Sequence, residues 1–391
     1  MTAAASSPRR LALGGLLAMA AAIGIGRFIY TPILPGMVED LHLTKGQAGL
    51  IAAANFLGYL AGALATAAAR GRGDGRRLLL VALAASAATT AVMAISSSMP
   101  ALLLWRFAGG VASAYTLVLA SALVLDRLNA TGQAGYSALH FSGVGTGIAV
   151  SAAMTWVLGA DGLGWRAMWL GGGLLSLLAL IAVAGLIPPG QNAPAPAGAH
   201  KQPHAARLPM VLLALAYGLF GFGYVITATF LVAIVRGSAE AQALEPVIWL
   251  ALGLAAIPSV TLWVGAGRRI GVMPAYALAC LVEAVGVFAS VAADSIAGLL
   301  AASILLGGTF MGLTSLGLIG GGNLAPDQPR RIVGALTAAF GVGQIIGPVV
   351  AGYGYDFTGS FFWPSMLAVA ALIVSAVLAM AIHARPRVSS P

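Results

Sequence analysis

The chain has 391 residues, of which 60% are hydrophobic and only 8% charged, with a mean hydropathy of +0.95. A soluble domain carries roughly 25% charged residues, so this composition excludes a water-soluble globule and makes lipid the solvent. The net charge of +9 would suit nucleic acid, but the arginines fall in short loops between apolar runs. That placement reads as membrane orientation and leaves no nucleic-acid patch. The single cysteine, Cys280, excludes an internal disulfide and a cysteine metal cage; in its apolar run it reads as a small buried hydrophobe.

A membrane-crossing helix needs about 20 apolar residues. In chain order the apolar runs predict spans at 11–35, 47–69, 78–97, 100–125, 134–158 and 166–187. After a break they resume at 208–235, 246–266, 273–292, 295–320, 331–354 and 361–383. The first run follows Arg9 and Arg10 as a signal peptide would, but it continues to Leu34, beyond a signal core of about 7–15 residues. It is therefore expected to be the first span. The third and fourth spans are parted only by Ser96-Ser97-Ser98 and Pro100.

The break, 188–207, reads PPGQNAPAPAGAHKQPHAAR. It lacks apolar periodicity and has the Pro, Ala and Gly content of a flexible linker. It divides the chain into an N-terminal six-helix unit (1–187), a linker (188–207) and a C-terminal six-helix unit (208–391). His200 and His204 are four apart within it, but prolines around them argue against a preformed metal site, so no metal or cofactor is expected.

Basic residues set the orientation. With a cytoplasmic N-terminus, inside segments hold fifteen of the twenty Lys and Arg, from Arg9 and Arg10 through Arg76, Arg77 and Arg127 to Arg385 and Arg387. Outside loops hold only Lys45, Arg166 and Arg236. This positive-inside bias predicts both termini in the cytoplasm of an inner-membrane protein and an even number of spans; twelve satisfies it.

The two halves repeat each other. GIGRFIYTPILP at Gly24–Pro35 returns as GFGYVITATFLV from Gly221, with Gly24 and Gly26 matching Gly221 and Gly223 (221 − 24 = 197, 223 − 26 = 197). Gly143 and Gly147 of the fifth span match Gly343 and Gly347 of the eleventh (343 − 143 = 200, 347 − 147 = 200). The loops GDGRR (Gly73–Arg77) and GAGRR (Gly265–Arg269) also correspond. What differs is polar: Arg27 becomes Tyr224, and His140 becomes Phe340. Duplicated bundles around a midplane site are a common plan of secondary transporters.

Charges inside spans are costly and usually face a cavity or a partner. Arg27 lies eight residues before Pro35 and Arg106 six after Pro100, so at 1.5 Å per residue both are expected roughly 10 Å below the outer boundary. Neither span contains an acid. The pair reads as an anion-attracting site, or as one substrate-binding and one coupling residue; the structural alternative is a cation bonded to helix-end carbonyls. His140 lies nearer the cytoplasmic side, and the intrinsic pKa of a free histidine, about 6.5, suits proton transfer or, equally, helix packing. Glu283 is the one acid deep in a span. Tyr30, Tyr224 and Gln344, with Asn55, Tyr59, Tyr115 and Thr227 behind them, complete the candidates. The 52 glycines read as close helix packing, and no P-loop exists, so ATP hydrolysis of that kind is excluded.

These residues resemble the major facilitator superfamily over essentially the whole chain. The basic loop after span two is similar to that superfamily's loop signature, although its acidic residue is out of place, with Asp74 nearest. Arg106 with Gly110 in WRFAGG is similar to a fourth-span motif of proton-coupled members; Gly143, Gly145 and Gly147 resemble the exporter glycine motif without its proline. GIGRFIYTPILP and the LHFSGVGTGIAVSA around His140 resemble the YbfB/YjiJ branch. The resemblance implies an all-α fold of two pseudo-symmetric bundles in which spans 1, 2, 4, 5, 7, 8, 10 and 11 line a central cavity and span 9, carrying Glu283, is peripheral. It implies alternating-access transport of a small organic solute, driven by a proton gradient with efflux favoured; uptake or exchange of a small organic anion is the alternative. A monomer in the bilayer is expected, and a channel or membrane enzyme is disfavoured.

Overall fold

A computed structural model of the chain describes residues 7–68, 74–189, 207–237, 241–293, 295–325 and 329–385. Twelve helices long and apolar enough to cross a membrane follow one another: Pro8–Leu41, Lys45–Ala68, Gly75–Ile95, Met99–Ala130, Ser137–Ala160 and Trp165–Leu186, then Leu208–Arg236, Gln242–Ile270, Val272–Ala292, Ile296–Leu324, Ile332–Thr358 and Phe362–His383. They are numbered spans 1 to 12 below. No strand occurs among the described residues. Several spans outrun the predicted runs, most clearly span 1 to Leu41 and span 4 to Ala130. Hydropathy stops at the first polar residues, whereas the helices continue past the apolar layer into ends carrying Glu39, Asp40 and Arg127.

The repeated glycines are contact points between matching helices. A Cβ on Gly143 or Gly147 of span 5 would strike the carbonyls of Leu16 and Ala20 on span 1. One on Gly343 or Gly347 of span 11 would meet those of Gly218 and Phe222 on span 7. The same pair of helices therefore closes on glycine in both halves, as the small-residue rule requires. Between halves, span 2 packs along span 11 and span 5 along span 8, again through glycine: Gly49 lies against Pro348 and Gly145 against Gly253. Large apolar side chains such as Leu174, Ile181, Trp363 and Val377 face outward, where acyl chains would cover them.

An even number of crossings puts both ends of the chain on one face, the terminal face. There the basic loop residues have defined work. The Asp74 carboxylate accepts from the Arg76 and Arg77 amides and caps span 3. Arg76 donates to the carbonyls of Ala184 and Ile187, both at 2.7 Å, and Arg127 to that of Pro188 at 3.2 Å. Two cations thus satisfy the orphan carbonyls at the end of span 6. Most of the expected linker, including His200 and His204, lies outside the described residues.

Candidate functional site

The site begins with a break in span 1. After the helix Pro8–Met19 comes a π-helical stretch, Ala20–Ile25, then four residues of turn, then a second helix, Tyr30–Leu41. Here the Gly26 amide reaches back five residues to Ala21 O at 2.8 Å and the Phe28 amide to Ile23 O at 3.3 Å. Pro32 brings no N–H and disfavours helical backbone at Thr31 before it, whose amide bonds to Phe28 O at 3.3 Å instead of continuing the i−4 ladder. The carbonyls of Gly26 and Arg27 are left looking for donors.

Arg106 supplies them. Its Nη1 donates to Gly26 O at 3.1 Å and its Nη2 to Arg27 O at 3.2 Å, a fork across two successive carbonyls. The guanidinium also lies over Tyr30 and Trp169, 4.9 and 5.8 Å from the ring centroids. Asn55 of span 2 holds span 4 in place by donating Nδ2 to Arg106 O at 2.9 Å, beside Gly110, where any Cβ would meet the Asn55 carbonyl.

Arg27 differs. It is only 6% exposed, its Nε and Nη2 have no hydrogen-bond partner, and its guanidinium rests on Tyr59 at 4.1 Å and Phe56 at 4.8 Å. The sequence placed the two arginines at one depth, and the structure brings both onto one cavity. It gives them different partners, however: Arg106 is engaged by backbone, Arg27 by ring faces alone.

That cavity, about 10 Å³, is lined by Arg27, Phe28, Tyr30, Thr31, Ala52, Phe56 and Arg106 from the first half and Ala228 and Thr229 from the second. It has room for about one water, so the two halves are shut against each other here. Tyr30 closes one wall by donating its hydroxyl to Ala48 O at 2.8 Å, and Thr31 joins the halves by donating to Ala228 O at 2.7 Å.

On the other side of the site stands Tyr224, the counterpart of Arg27 in an unbroken span 7. Its ring stacks on Phe310 at 5.7 Å and Phe340 at 5.8 Å, and its hydroxyl accepts from Gln344 Nε2. Phe28 of span 1 meets the same column edge-on at Phe310, 5.8 Å away. Thr227 is buried with its hydroxyl unpartnered. Tyr115 is half-buried and does not line the cavity. His140 is buried apart from the site, with Nε2 3.2 Å from Ser121 Oγ and its ring 4.9 Å from Phe141, packed against Gly15. Glu283 faces the interior of the second half despite its place on span 9.

Sequence reading passed over Phe56, Trp169 and Phe310, which carry the ring faces, and Thr31, which ties the halves. It counted Lys45 and Arg236 in the outside loops but did not see the acids they meet on that far face. Arg236 there bridges Glu245 and Glu39 at 2.7 Å, and the Asp356 carboxylate of span 11 accepts from the Lys45 and Gly46 amides at the start of span 2, at 2.9 and 2.7 Å. Only the repeat could have revealed the first of these, since Glu39 and Arg236 are 197 positions apart.

Twelve spans in two matched halves, closing on a small cavity lined by two buried arginines, define a membrane transporter of the major facilitator type rather than an enzyme. The chain belongs to the family described as "Uncharacterised MFS-type transporter YbfB", whose model matches residues 19–380. It is 29% identical over 373 residues to a "Chloramphenicol resistance protein" of Streptomyces lividans, covering 92% of this chain and 94% of that relative. Its fold is similar to crystal structures of the nucleoside transporter NupG. A mutant form superposes with a TM-score of 0.71 at 17% identity over 96% of this chain and 99% of that one. A second NupG structure gives 0.70 at 15% identity, over 96% and 98%.

Proposed function

We propose that this transporter is a secondary carrier that exports a small organic solute in exchange for protons, its two halves rocking about the cavity at Arg27. The observation that carries the reading is the Arg27 guanidinium. A charge taken out of water without a partner is expensive, and ring faces return only about 0.5–2 kcal/mol. The site is therefore built to receive a group that accepts hydrogen bonds, a carboxylate or another oxygen-rich head, with Tyr59, Phe56 and Phe28 beside it. Resistance to chloramphenicol in the Streptomyces relative favours export, and the missing P-loop leaves a gradient as the energy source. Positive-inside charge supports both termini in the cytoplasm and an inner-membrane location, and one chain holds the whole cavity, consistent with a monomer. Uptake or exchange of an organic anion is the second reading, favoured by Arg27 being a full charge.

The test is a thermal-shift screen of purified protein against aromatic and aliphatic carboxylates, chloramphenicol and cationic drugs, repeated on Arg27→Ala. Stabilisation by acceptor-bearing solutes that vanishes in the variant is expected. Stabilisation by cations alone would overturn the reading. Saturable counterflow in proteoliposomes then separates a carrier from a channel.

A further inference from the structure

Glu283 is the one fully buried carboxyl among the described residues, and both of its oxygens lack a hydrogen-bond partner. Polar groups come near it from spans 7, 9, 10 and 12. On its own span 9 lie Tyr276 and Cys280, which share the Ser375 hydroxyl of span 12, itself bonded to Ala216 O at 2.8 Å. From span 10 the nearby Thr309 hydroxyl donates to Leu305 O and Leu306 O and makes no bond to the carboxyl. From span 7 come Tyr224 and, beyond Tyr276, Tyr217. No lysine or arginine is among these neighbours. Tyr224 lies near both Glu283 and Arg27.

A naked carboxylate in such a place is far costlier than a neutral acid, because no donor or cation replaces its lost water. The shut packing thus accepts Glu283 only with its proton on. Ionisation demands that water or a cation reach it, which requires spans 7, 9 and 10 to part. Proton occupancy and the shut state are then one equilibrium, as coupling requires.

We propose that Glu283 is the site where the driving proton is carried, bound while the cavity is shut and released when it opens, with Tyr224 as the link to Arg27. The proposal rests on the proton-coupled reading above, and the test separates the two. A cysteine is introduced at the cavity wall by Thr229→Cys, and its labelling by a water-soluble maleimide is followed against pH in purified protein. The same chain without the substitution measures any background from Cys280. Labelling should rise with pH, since the ratio of open to shut grows by up to about tenfold per unit over the range in which the carboxyl is ionised in the open state and protonated in the shut one. In the Glu283→Gln background it should stay low and flat.

If the parent is itself pH-independent, proton coupling fails and the proposal with it. If Glu283→Gln keeps the parent's steepness, coupling stands but another group carries the proton. Glu283→Asp, which keeps a titrating carboxyl, should remain pH-dependent with a displaced midpoint and covers the case in which Gln does not fold. Infrared spectroscopy of wild-type protein at neutral pH should show a protonated-carboxyl band that disappears at alkaline pH together with cavity closure. Absence of that band would overturn the proposal independently of any variant.

Discussion

Glu39 and Arg236 hold the same place in the two repeats, 197 residues apart, and they bond to each other: Arg236 Nη1 meets Glu39 Oε1 at 2.7 Å. Thr31 and Ala228 share that offset and also touch, at 2.7 Å. Residues related by a two-fold axis meet only on the axis, so these two pairs trace it from the cavity to the far face. A polar pair there ties the halves directly to each other.

The far-face pair should bias the shut state by an amount set by exposure. Glu39 is well exposed, so Glu39→Gln should cost at most about 1 kcal/mol. Arg236→Ala also strands Glu245, whose side chain is only 12% exposed, and should cost about 1–3 kcal/mol. Labelling of Thr229→Cys from the far face is expected to accelerate strongly in Arg236→Ala and weakly in Glu39→Gln. Equal rates in parent and Arg236→Ala would show that the bridge does not hold the cavity shut.

The two arginines should part company under mutation. Arg106→Ala leaves the carbonyls of Gly26 and Arg27 buried without donors, at about 1–3 kcal/mol each, and should lower the melting temperature clearly. Arg106→Lys cannot fork across both and should recover only part of the loss. Arg27→Met removes an unpaired charge in favour of packed methylenes, so stability should hold or rise by about 1 kcal/mol or more while solute binding disappears. Thermal unfolding beside a binding assay checks this; a large stability loss in Arg27→Met would mean that the guanidinium is structural.

The matched glycines should fail alike. Gly143→Ala and Gly343→Ala each place a methyl against a carbonyl of the partnering helix, and each is expected to cost about 1–3 kcal/mol by overpacking. Gly185, which has nothing near its missing Cβ, should tolerate alanine. Melting temperatures of the three variants decide the matter, and a tolerant Gly143→Ala would detach the repeat from helix packing.

The twelve spans, the two halves and the shared depth of Arg27 and Arg106 were legible because they follow from apolar length, glycine spacing and the cost of burying charge, all local quantities. The break in span 1 was only half visible: Pro32 stands in the repeated segment, but the resulting orphan carbonyls, and hence the partner of Arg106, depend on where another helix puts its side chain. Glu283 shows the same limit. Its span was placed correctly, yet whether it faced lipid, cavity or interior depended on helix rotation, which a nearly uniform apolar run such as Val272–Ala292 does not encode. The aromatic column on Tyr224 gathers residues from spans 7, 10 and 11, so no single segment announces it.

Tyr224 offers the sharpest separation of packing from polarity. Tyr224→Phe keeps the stack on Phe310 and Phe340 and deletes only the hydroxyl, stranding Gln344 Nε2 in a site whose Oε1 already lacks a donor. The expected cost is about 1–3 kcal/mol. Gln344→Leu alone should cost a similar amount by stranding the hydroxyl, while the double variant replaces both partners with apolar groups and should lose less than the sum of the two. A coupling energy of about 0.5–3 kcal/mol in that cycle is the expected outcome. Strict additivity would show that the two polar groups do not act as a pair. The same Tyr224→Phe protein reports on the link to Glu283: with the carboxyl intact but the hydroxyl gone, pH should still open the cavity, whereas the response of that opening to solute at Arg27 should weaken.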